Sequence, residues 1–473
     1  MIGRATRVKN KEGKTRSLGT AALAELKKLL PADEFSFDII EREKRAGDKW
    51  FATHVPEAVA LPRSGETVSR LLKFCSERGI PVTPRGSGYG YVGGCVPAAG
   101  GVALSLERMK GILEINAADF VVVAEAGVIL QKLQEAVEKR GLFYPPDPAS
   151  RADCSIGGTV ATNAGGPHCL KYGVTRDYVL GLKVALASGD VAFVGGRTHK
   201  NKTGFDLTRL FVGSEGLLGV VTEVTLKLLP LPPYRALLAV GFDSMHEAAG
   251  TITAIFANGF LPSALEVADQ FTLEAAARRT GNQNLARSRA LLLVELDGQE
   301  RSVRGEAGTL EKLLKSQKAT FVQKALGNEK CEELWGLRRE FSFSLRDTGL
   351  VKLNEDIVVP RGRLEDLFRF TAGLQKKFGL PVACFGHAGD GNIHVNVMYD
   401  KSWRDVARRT QAALDELFTQ VLAWGGVITG EHGIGLAKKR WWPQATSPEV
   451  RELHRRIKDA LDPKGILNPG KFV

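Results

Sequence analysis

The stretch at residues 385–396, FGHAGDGNIHVN, constrains the fold most because it places turn residues between two apolar runs. Asp-Gly in such a position is typical of a β-hairpin, so strands are predicted on both sides of the Gly-Asp-Gly-Asn turn. Side chains two positions apart on a strand share a face, and His394 and Asn396 are therefore predicted to point the same way. Asp390 is interpreted as a turn residue rather than a metal ligand.

Histidines stand on both sides of that turn. His387 precedes it and is predicted to converge with His394 across the hairpin. Two imidazoles and one carboxylate can form a metal site that keeps a position open for a substrate. Glu431, in the Gly-Glu-His-Gly segment at 430–433, is the candidate carboxylate. The alternative is that both histidines are structural and bond to the main chain.

Length and composition limit the classes of protein. A chain of 473 residues is expected to form two or three domains. Its 65 Lys and Arg against 53 Asp and Glu give a net charge of +12, but the basic residues are scattered apart from short clusters such as 438–440 and 455–456. No nucleic-acid-binding motif accompanies them, so a solvated basic surface is predicted and nucleic acid is not an expected partner.

Three further patterns concern membranes and redox chemistry. No run of 18 apolar residues occurs, and the basic start at 1–17 lacks the apolar core of a secretory signal. None of the six cysteines forms a Cys-x-x-Cys pair, so neither an iron–sulfur cluster nor a thiol-redox motif is predicted. We therefore expect a cytoplasmic protein with reduced thiols and no electron relay of its own.

A glycine-rich loop, RGSGYGYVGGC, occupies residues 85–95 after a short predicted strand. Glycine reaches positive φ and leaves room for a ligand, so main-chain N–H groups in such a loop can close around phosphate oxygens. A Rossmann turn is disfavoured because Pro97 and two further glycines follow where a helix should begin. A merely flexible loop is the alternative.

Further helices, strands and glycine-rich segments are predicted up to residues 230–233, where three prolines mark a domain boundary. Helices are predicted at 21–30, 68–77 and 129–139 and strands at 179–187, 190–194 and 224–229. The segments rich in glycine or proline are PPDP at 145–148, SIGGTVATNAGG at 155–166, KYG at 171–173 and FVGSEGLLGVVTE at 211–223.

In this combination the motifs resemble the vanillyl-alcohol-oxidase (PCMH-type) FAD-binding superfamily, in which two α+β subdomains hold FAD between them. The branch that the chain resembles contains D-lactate dehydrogenases, glycolate oxidase subunits and D-2-hydroxyglutarate dehydrogenases. That branch also carries GHxGDGNxH, GEHGIG and a terminal NPGK, which are matched here at 386–394, 430–435 and 468–471. The resemblance covers essentially the whole chain.

The resemblance implies an α+β fold. A two-subdomain FAD-binding domain would be covered by a ferredoxin-like antiparallel cap domain, for which strands at 237–240 and 290–296 and helices at 245–257 and 306–315 are predicted. The implied parts are a helical preface at 1–50, the FAD-binding domain at 51–232, the cap at 233–425 and a helical C-terminal segment at 426–473 that returns to the FAD-binding domain.

Non-covalent FAD is the implied cofactor. His168 follows the second glycine-rich run but is not expected to tether the flavin. Ser87, Tyr89, Tyr91 and Val92 replace residues of the usual GGGTGLSGG loop, so Ser87 or the tyrosines would supply hydroxyl contacts. The residues implied to contact FAD are Arg85, Gly86, Ser87, Gly88, Tyr89, Gly90, Gly93, Gly94, Pro145, Gly158, Thr159, Asn163, Gly165, Gly166, Gly173, Val220, Val221 and Asn468.

The resemblance also implies roles for substrate-side residues. Arg338 and Ser342, four apart on a predicted helix, would bind the substrate carboxylate, although a surface position for Arg338 is the alternative. Lys352 is the candidate pocket lysine, with Asn354 and Glu355 as alternatives in that register. A zinc or manganese ion on His387, His394 and Glu431 would activate the substrate, Asn396 would hydrogen-bond it and His432 would accept its proton.

The implied activity is FAD-dependent oxidation of a D-2-hydroxy acid such as D-lactate, glycolate or D-2-hydroxyglutarate, with hydride transfer to flavin N5. The electron acceptor would be an iron–sulfur subunit, an electron-transferring flavoprotein, a cytochrome or a quinone. A basic surface suits an acidic carrier or peripheral contact with the inner face of a membrane. A homodimer is a further expected arrangement. The alternatives are an oxidase that uses O₂ and a flavoprotein subunit without substrate chemistry.

Overall fold

The computed structural model describes residues 18–473, so the first 17 residues of the predicted preface lie outside the described residues. The predicted helix of the preface is confirmed at Thr20–Leu29. The preface also contributes a strand, because Phe35 and Ser36 pair with Ala60 and Val59. The elements of this first part are α1 (Thr20–Leu29), β1 (Phe35–Ser36), α2 (Ile39–Glu43), β2 (Ala58–Ala60), α3 (Gly65–Arg78), β3 (Val82–Arg85) and β4 (Val102–Ser105).

The first sheet has the strand order β1-β2-β4-β3, and β4 runs parallel to both of its neighbours. Helix α3 begins because the Ser64 hydroxyl accepts a hydrogen bond from the amide of Thr67, and it ends at Gly79 in the left-handed conformation. Its buried face packs with the strands into one apolar core. The glycine-rich loop at 85–95 leaves this sheet at the end of β3.

The second sheet is antiparallel, with the order β5-β6-β10-β8-β9. The second glycine-rich run forms a short helix here, because Ser155 caps its first turn by accepting the amide of Gly158. The elements are β5 (Ile112–Asn116), β6 (Val121–Glu125), α4 (Leu130–Glu138), β7 (Leu142–Phe143), α5 (Ile156–Thr162), α6 (Cys169–Tyr172), β8 (Val179–Ala185), β9 (Val191–Gly195), α7 (Leu207–Phe211), β10 (Val220–Lys227) and β11 (Leu229–Pro230).

The cap contains a seven-stranded sheet in which every neighbouring pair is antiparallel. Alternate residues of its strands belong to two separate apolar clusters, so helices cover both faces. The elements are β12 (Tyr234–Phe242), α8 (Met245–Ala257), β13 (Ala264–Asp269), α9 (Gln270–Thr280), α10 (Gln283–Arg287), β14 (Ala290–Gly298), α11 (Glu300–Ser316), β15 (Phe321–Leu326), α12 (Asn328–Arg346), β16 (Val351–Val358), α13 (Leu364–Phe378), β17 (Val382–His387), β18 (Asn392–Tyr399) and α14 (Val406–Ala423).

The predicted hairpin is confirmed as β17 and β18, between β13 and the edge strand β16 of the cap sheet. Phe385 is paired with His394 and His387 with Asn392 in the antiparallel register of β17 and β18. The Asp390 carboxylate accepts a hydrogen bond from the amide of Asn392 at 3.1 Å, which is the turn role predicted for it. Both histidines are buried.

The C-terminal part ends on the first sheet. It contains α15 (Trp442–Ala445) and α16 (Pro448–Leu461). Leu467 forms a parallel bridge with Val82, and the amide of Asn468 donates to the Val82 carbonyl at 2.8 Å. Within residues 18–473, no helix is both long and apolar enough to cross a membrane.

Candidate active site

One cavity collects most of the predicted cofactor residues. Its walls come from the glycine-rich loop after β3, from α5 and from the start of β10, so both N-terminal sheets contribute. Glu431 and His432 form part of the wall as well. The predicted cofactor residues that line the cavity are Arg85, Gly86, Ser87, Gly88, Tyr89, Gly90, Gly94, Gly158, Thr159, Val220 and Val221.

The glycines bring the main chains of two segments close together at this cavity. A Cβ atom on Gly86 would lie 2.1 Å from Ser155 Oγ, so a larger residue would have to displace the hydroxyl that caps α5. Gly88 has φ +76°, and a Cβ on it would lie 2.1 Å from Arg85 Nη2. A cavity walled by main chain from two glycine-rich segments fits a cofactor with a pyrophosphate group.

The other predicted cofactor residues are not among the described residues that line the cavity. Asn163 ends α5 in the left-handed conformation, and its side-chain oxygen accepts the amide of Arg176 at 2.9 Å. Asn468 is fully buried and donates to the carbonyls of Gly94 and Glu215 at 2.9 and 2.7 Å. The predicted residues that are not among the described lining residues are Gly93, Pro145, Asn163, Gly165, Gly166, Gly173 and Asn468.

His387, His394 and Glu431 come together as predicted, with one potential ligand atom from each within 4.8 Å of the others. Glu431 Oε1 lies 3.9 Å from His387 Nε2 and 3.6 Å from His394 Nε2. Burial lowers the pKa of His394 to about 3, so its imidazole is neutral. Burial raises the pKa of Glu431, but the ion pair with His387 outweighs it and keeps the carboxylate ionised. His394 and Glu431 are therefore in the forms that bind a metal, whereas a metal would have to displace the proton that His387 carries in its ion pairs.

Glu266, on β13, holds the ring of His387 on the side away from Glu431. Its Oε1 lies 2.6 Å from His387 Nδ1, which leaves Nε2 of that ring directed at Glu431. Burial lowers the pKa of His387, but the Glu266 carboxylate outweighs it and holds the pKa well above its usual value. Carboxylates in this position orient metal-binding histidines. Glu266 also accepts a hydrogen bond from Arg338 Nε at 2.5 Å.

The loop at 429–435 carries Glu431 and His432. Six successive main-chain amides of this loop donate hydrogen bonds to side-chain oxygens. Asp356 Oδ2 accepts the amides of 430, 431 and 432 at 2.9–3.0 Å and the Thr429 hydroxyl at 3.0 Å. Thr429 Oγ1 accepts the amide of 433 at 3.1 Å. Glu215 accepts the amides of 434 and 435 at 2.7 and 2.9 Å. The cap strand β16 and the N-terminal domain therefore share the loop.

His432 lies between the cavity and the histidine pair. Its ring stacks on Tyr91 with centroids 5.1 Å apart and on His394 with centroids 5.6 Å apart. Nδ1 lies 3.9 Å from Asp356 Oδ2 and, among the described residues, has no hydrogen-bond partner. The predicted base thus lies at the cavity, with Nδ1 towards Asp356 and Nε2 3.8 Å from Glu431 Oε1.

Arg338, Ser342 and Lys352 also come together. Arg338 is buried on α12, which excludes the surface alternative, and its guanidinium lies 4.8 Å from the centroid of the Phe385 ring. Lys352 Nζ donates to Ser342 Oγ at 2.7 Å and lies 5.7 Å from the same ring. Burial and the charges of neighbouring arginines lower the pKa of Lys352 to about 7. Two basic groups therefore flank one aromatic ring beside the histidine pair.

Asn396 has one side-chain atom left for the predicted hydrogen bond to the substrate. Its Nδ2 donates to the carbonyls of Ala383 and His394 at 3.0 and 3.1 Å, so only Oδ1 is left, without a partner among residues 18–473. Asn354 pairs with it in the sheet register. Glu355 points to the other side of β16, where burial raises its pKa to about 7.

One expectation about charge is wrong. Lys438 belongs to the 438–440 cluster that was expected to be solvated, but it is fully buried. Its Nζ donates to the carbonyls of Asp356 and Ile428 at 2.9 and 2.8 Å. The buried ammonium offsets the carboxylate charge of Asp356, which burial requires. Lys439 and Arg440 are exposed.

His168 joins the two domains. Its Nδ1 lies 2.7 Å from Asp147 Oδ2, and its Nε2 lies 2.9 Å from Oε1 of Glu295 in the cap sheet. Tyr172, from the KYG segment, donates to Asp297 of the cap at 2.6 Å. Gly165, three residues before His168, lies against Glu431, since a Cβ there would be 3.2 Å from Oε2. This part of the predicted cofactor set therefore lies at the domain boundary.

Sequence reasoning missed three carboxylates of the site, Asp356, Glu215 and Glu266. A carboxylate between glycines in the segment at 213–216 could have drawn attention to Glu215. Asp356 stands four residues after Lys352 on the same strand face, which the period of two allowed. The partners of Glu266 lie far away in sequence.

The chain belongs to the FAD-linked oxidases, in agreement with the resemblance. Residues 231–472 match the family described as FAD linked oxidases, C-terminal domain, and residues 56–195 match the family described as FAD binding domain. The predicted family is confirmed, and the N-terminal half is an FAD-binding domain.

Relatives match over nearly their whole length. Glycolate oxidase subunit GlcD of Bacillus subtilis (strain 168) is 39% identical over 418 residues, which cover 88% of this chain and 89% of the relative. D-lactate dehydrogenase of Anaerostipes hadrus is 32% identical over 465 residues, 94% of each chain. D-lactate dehydrogenase of Archaeoglobus fulgidus is 37% identical over 416 residues, 88% of this chain and 91% of the relative.

Solved structures confirm the predicted α+β fold. p-Cresol methylhydroxylase with substrate bound superimposes with a TM-score of 0.76 at 20% identity and covers 96% of each chain. Alkyldihydroxyacetonephosphate synthase gives a TM-score of 0.74 at 19% identity, with 95% of this chain and 84% of the other covered.

Proposed function

We propose that this chain oxidises a D-2-hydroxy acid to the 2-oxo acid and passes the electrons to a separate acceptor. The observation that carries the proposal is the position of Glu431 and His432. Both line the FAD cavity, while Glu431 groups with His387 and His394 and the His432 ring stacks on His394. The relatives named D-lactate dehydrogenase and glycolate oxidase subunit support this substrate class. FAD, when bound, accepts the hydride from the substrate Cα.

His387, His394 and Glu431 would hold a divalent cation, zinc or manganese. Two imidazoles and a carboxylate form a donor set that both metals accept, and Glu266 orients one of the imidazoles. The cation supplies Lewis acidity, which lowers the pKa of the substrate hydroxyl. The side chains of the cap thus define where the hydroxyl must lie.

His432 takes the proton of that hydroxyl. Tyr91 and His394 hold its ring on both faces, and Nδ1 is directed towards Asp356 at 3.9 Å. The carboxylate of Asp356 stabilises the imidazolium that results, because opposite charges in a buried site attract strongly. The proton leaves to His432 as the hydride leaves from Cα, so the substrate loses two electrons and two hydrogens.

Arg338 and Lys352 would bind the substrate carboxylate. Both groups lie on the Phe385 ring beside His394, and Ser342 holds the lysine. Carboxylates bind most strongly where a guanidinium offers several donors in a buried setting. Asn396 Oδ1 can accept a hydrogen bond from the substrate but cannot donate one, because its amide group is already bonded.

Electrons would leave the flavin to an iron–sulfur protein, an electron-transferring flavoprotein, a cytochrome or a quinone. The six cysteines include no Cys-x-x-Cys pair that would build a cluster within the chain. The net charge of +12 suits docking to an acidic carrier. Peroxide production in air under turnover would instead identify O₂ as the acceptor.

The test of the reaction is anaerobic mixing with D- and L-lactate, glycolate and D-2-hydroxyglutarate while flavin absorbance is recorded. A D-2-hydroxy acid is expected to bleach the flavin, and His432→Ala should slow bleaching by at least ~100-fold, the usual value of a general base. His246→Ala, an exposed histidine paired with Glu365, is the matched control. If the His432 variant bleaches at the wild-type rate, His432 is not the base. If no hydroxy acid bleaches the flavin of the wild type, the chain is a flavoprotein subunit without substrate chemistry.

The metal is tested separately. Treatment with a chelator should abolish bleaching, and Zn²⁺ or Mn²⁺ should restore it, whereas His394→Ala should bind no metal and regain nothing. Metal content by mass spectrometry follows each step. Full activity in metal-free protein would show that the two histidines are structural.

A further inference from the structure

The loop at 429–435 is bonded to the wall of the FAD cavity as well as to the cap. Glu215, from the FAD-binding domain, accepts the amides of Ile434 and Gly435. The carbonyl of Val92, in the glycine-rich loop, accepts the amides of Leu436 and Ala437 at 2.8 and 3.0 Å. The backbone that carries one metal ligand and the base is therefore bonded to two segments of the cavity wall.

Glu215 is itself built into that wall. It lines the cavity, and its φ of +50° is a left-handed conformation that a non-glycine residue adopts only when its surroundings impose it. Its amide donates to the Ala161 carbonyl of α5 at 2.8 Å, and its carbonyl accepts from Asn468 Nδ2 at 2.7 Å. Both Ala161 and Val92 line the cavity. A molecule that fills the cavity thus restrains the elements that place Glu215.

We propose that Glu215 is a positioning residue that couples FAD binding to metal binding at His387, His394 and Glu431. FAD in the cavity fixes the wall, the wall fixes Glu215, and Glu215 fixes the loop that presents Glu431. The coupling rests on the FAD and metal sites of the proposed function. Because binding linkage is reciprocal, bound metal must strengthen FAD binding by the same factor.

Of the three candidate metal ligands, the two histidines are positioned by the cap alone. His387 and His394 lie on a hairpin inside the cap sheet, so the FAD-binding domain does not set their separation. Glu431 is the one ligand of the three on a loop shared between domains. Metal affinity therefore responds to the flavin through Glu431 alone.

The experiment compares FAD dissociation from the holoenzyme with its metal and after chelation, by flavin fluorescence on dilution. In the wild type, chelation is expected to weaken FAD binding on the order of 10-fold, within the usual range for coupled sites. In Glu215→Gln the side chain offers one oxygen to two amides and an NH₂ group in place of the other, so the metal effect should fall to about twofold or less.

Glu125→Gln is the matched control. Glu125 lies on β6 of the same domain and also accepts a main-chain amide, that of Gly111 at 2.7 Å, but it is not a lining residue of the cavity. This variant should keep the wild-type dependence of FAD binding on metal. If Glu215→Gln does not fold, Glu215→Asp keeps the charge with a shorter reach, and its metal effect should be intermediate.

Metal content and flavin bleaching are measured on the same samples, so each failure is distinguishable. The proposal is refuted if Glu215→Gln binds metal and chelation weakens its FAD binding as much as in the wild type. It is also refuted if the wild type binds metal but chelation leaves its FAD binding unchanged. A wild type that binds no metal overturns the metal assignment and the coupling together. Linkage without bleaching by any hydroxy acid would support the coupling while the proposed redox reaction fails.

Discussion

Replacing Asp356 by Asn would show whether one buried carboxylate holds the candidate ligand and base in place. Asp356 Oδ2 accepts the Thr429 hydroxyl and the amides of 430–432 at 2.9–3.0 Å. Oδ1 accepts Asn392 Nδ2 at 2.6 Å. An asparagine has one oxygen and one NH₂ group, so either the loop or Asn392 must face a donor instead of an acceptor.

The magnitude follows from the less costly orientation, which keeps the oxygen towards the loop. One N–H of Asn392 then loses its acceptor, at a cost of about 1–3 kcal/mol for a buried donor. The four bonds to the loop lose their charge assistance, which weakens each by roughly 1 kcal/mol before relaxation. Because such effects overlap within one network, we expect the free energy of unfolding to fall by about 3 kcal/mol.

Denaturation of the FAD-loaded protein measures that loss, and metal content and bleaching rate measure its consequence at the site. Asp269→Asn is the matched control, because Asp269 is a cap carboxylate that accepts the amides of Thr272 and Cys384 at 3.0 and 2.7 Å without bonding to the loop. Both variants should lose stability, but only the Asp356 variant should lose metal. Unchanged metal affinity and bleaching in Asp356→Asn would refute the reasoning.

Two further predictions concern the lysine pocket and the cavity wall. Burial, reinforced by nearby arginines, lowers the pKa of Lys352 to about 7. The lysine therefore loses its charge as pH rises through that value, and KM for an anionic substrate should rise with it. In Lys352→Arg the charge stays, so KM should not rise. An unfolded lysine has a pKa of about 10.4 and binds more protons between pH 7 and 10, so this group makes stability increase with pH across that window. Gly86→Ala places a Cβ 2.1 Å from Ser155 Oγ and should reduce flavin content, whereas Gly373→Ala, in a helix with open space, should not. Full flavin retention in the first variant would contradict the close approach.

Local patterns were enough to predict the hairpin and several elements. The turn and the alternation at 385–396 are contained in 12 residues, and the predicted helix at 245–257 has the bounds observed for α8. The glycine-rich loop at 85–95 was predicted as a ligand site because glycine use is a local property of the backbone. The identity of FAD required the resemblance.

The supports of the site could not be predicted, because their partners are distant in sequence. Glu266 and His387 are 121 residues apart, and Glu215 and Ile434 are 219 residues apart. Lys438 looked like a surface lysine because its burial depends on the carbonyls and carboxylates that surround it. Only the folded arrangement of both domains defines these pairs.

The three missed carboxylates explain how a site at a domain boundary keeps its geometry. An ionised carboxylate is costly to bury unless donors surround it, and Asp356, Glu266 and Glu215 each receive donors from other segments. Glu266 and Asp356 fix groups to the cap, whereas Glu215 reaches across from the FAD-binding domain. Disturbance of the cavity wall should therefore displace Glu431 and His432 but leave the separation of His387 and His394 unchanged, because that separation depends on strand pairing alone.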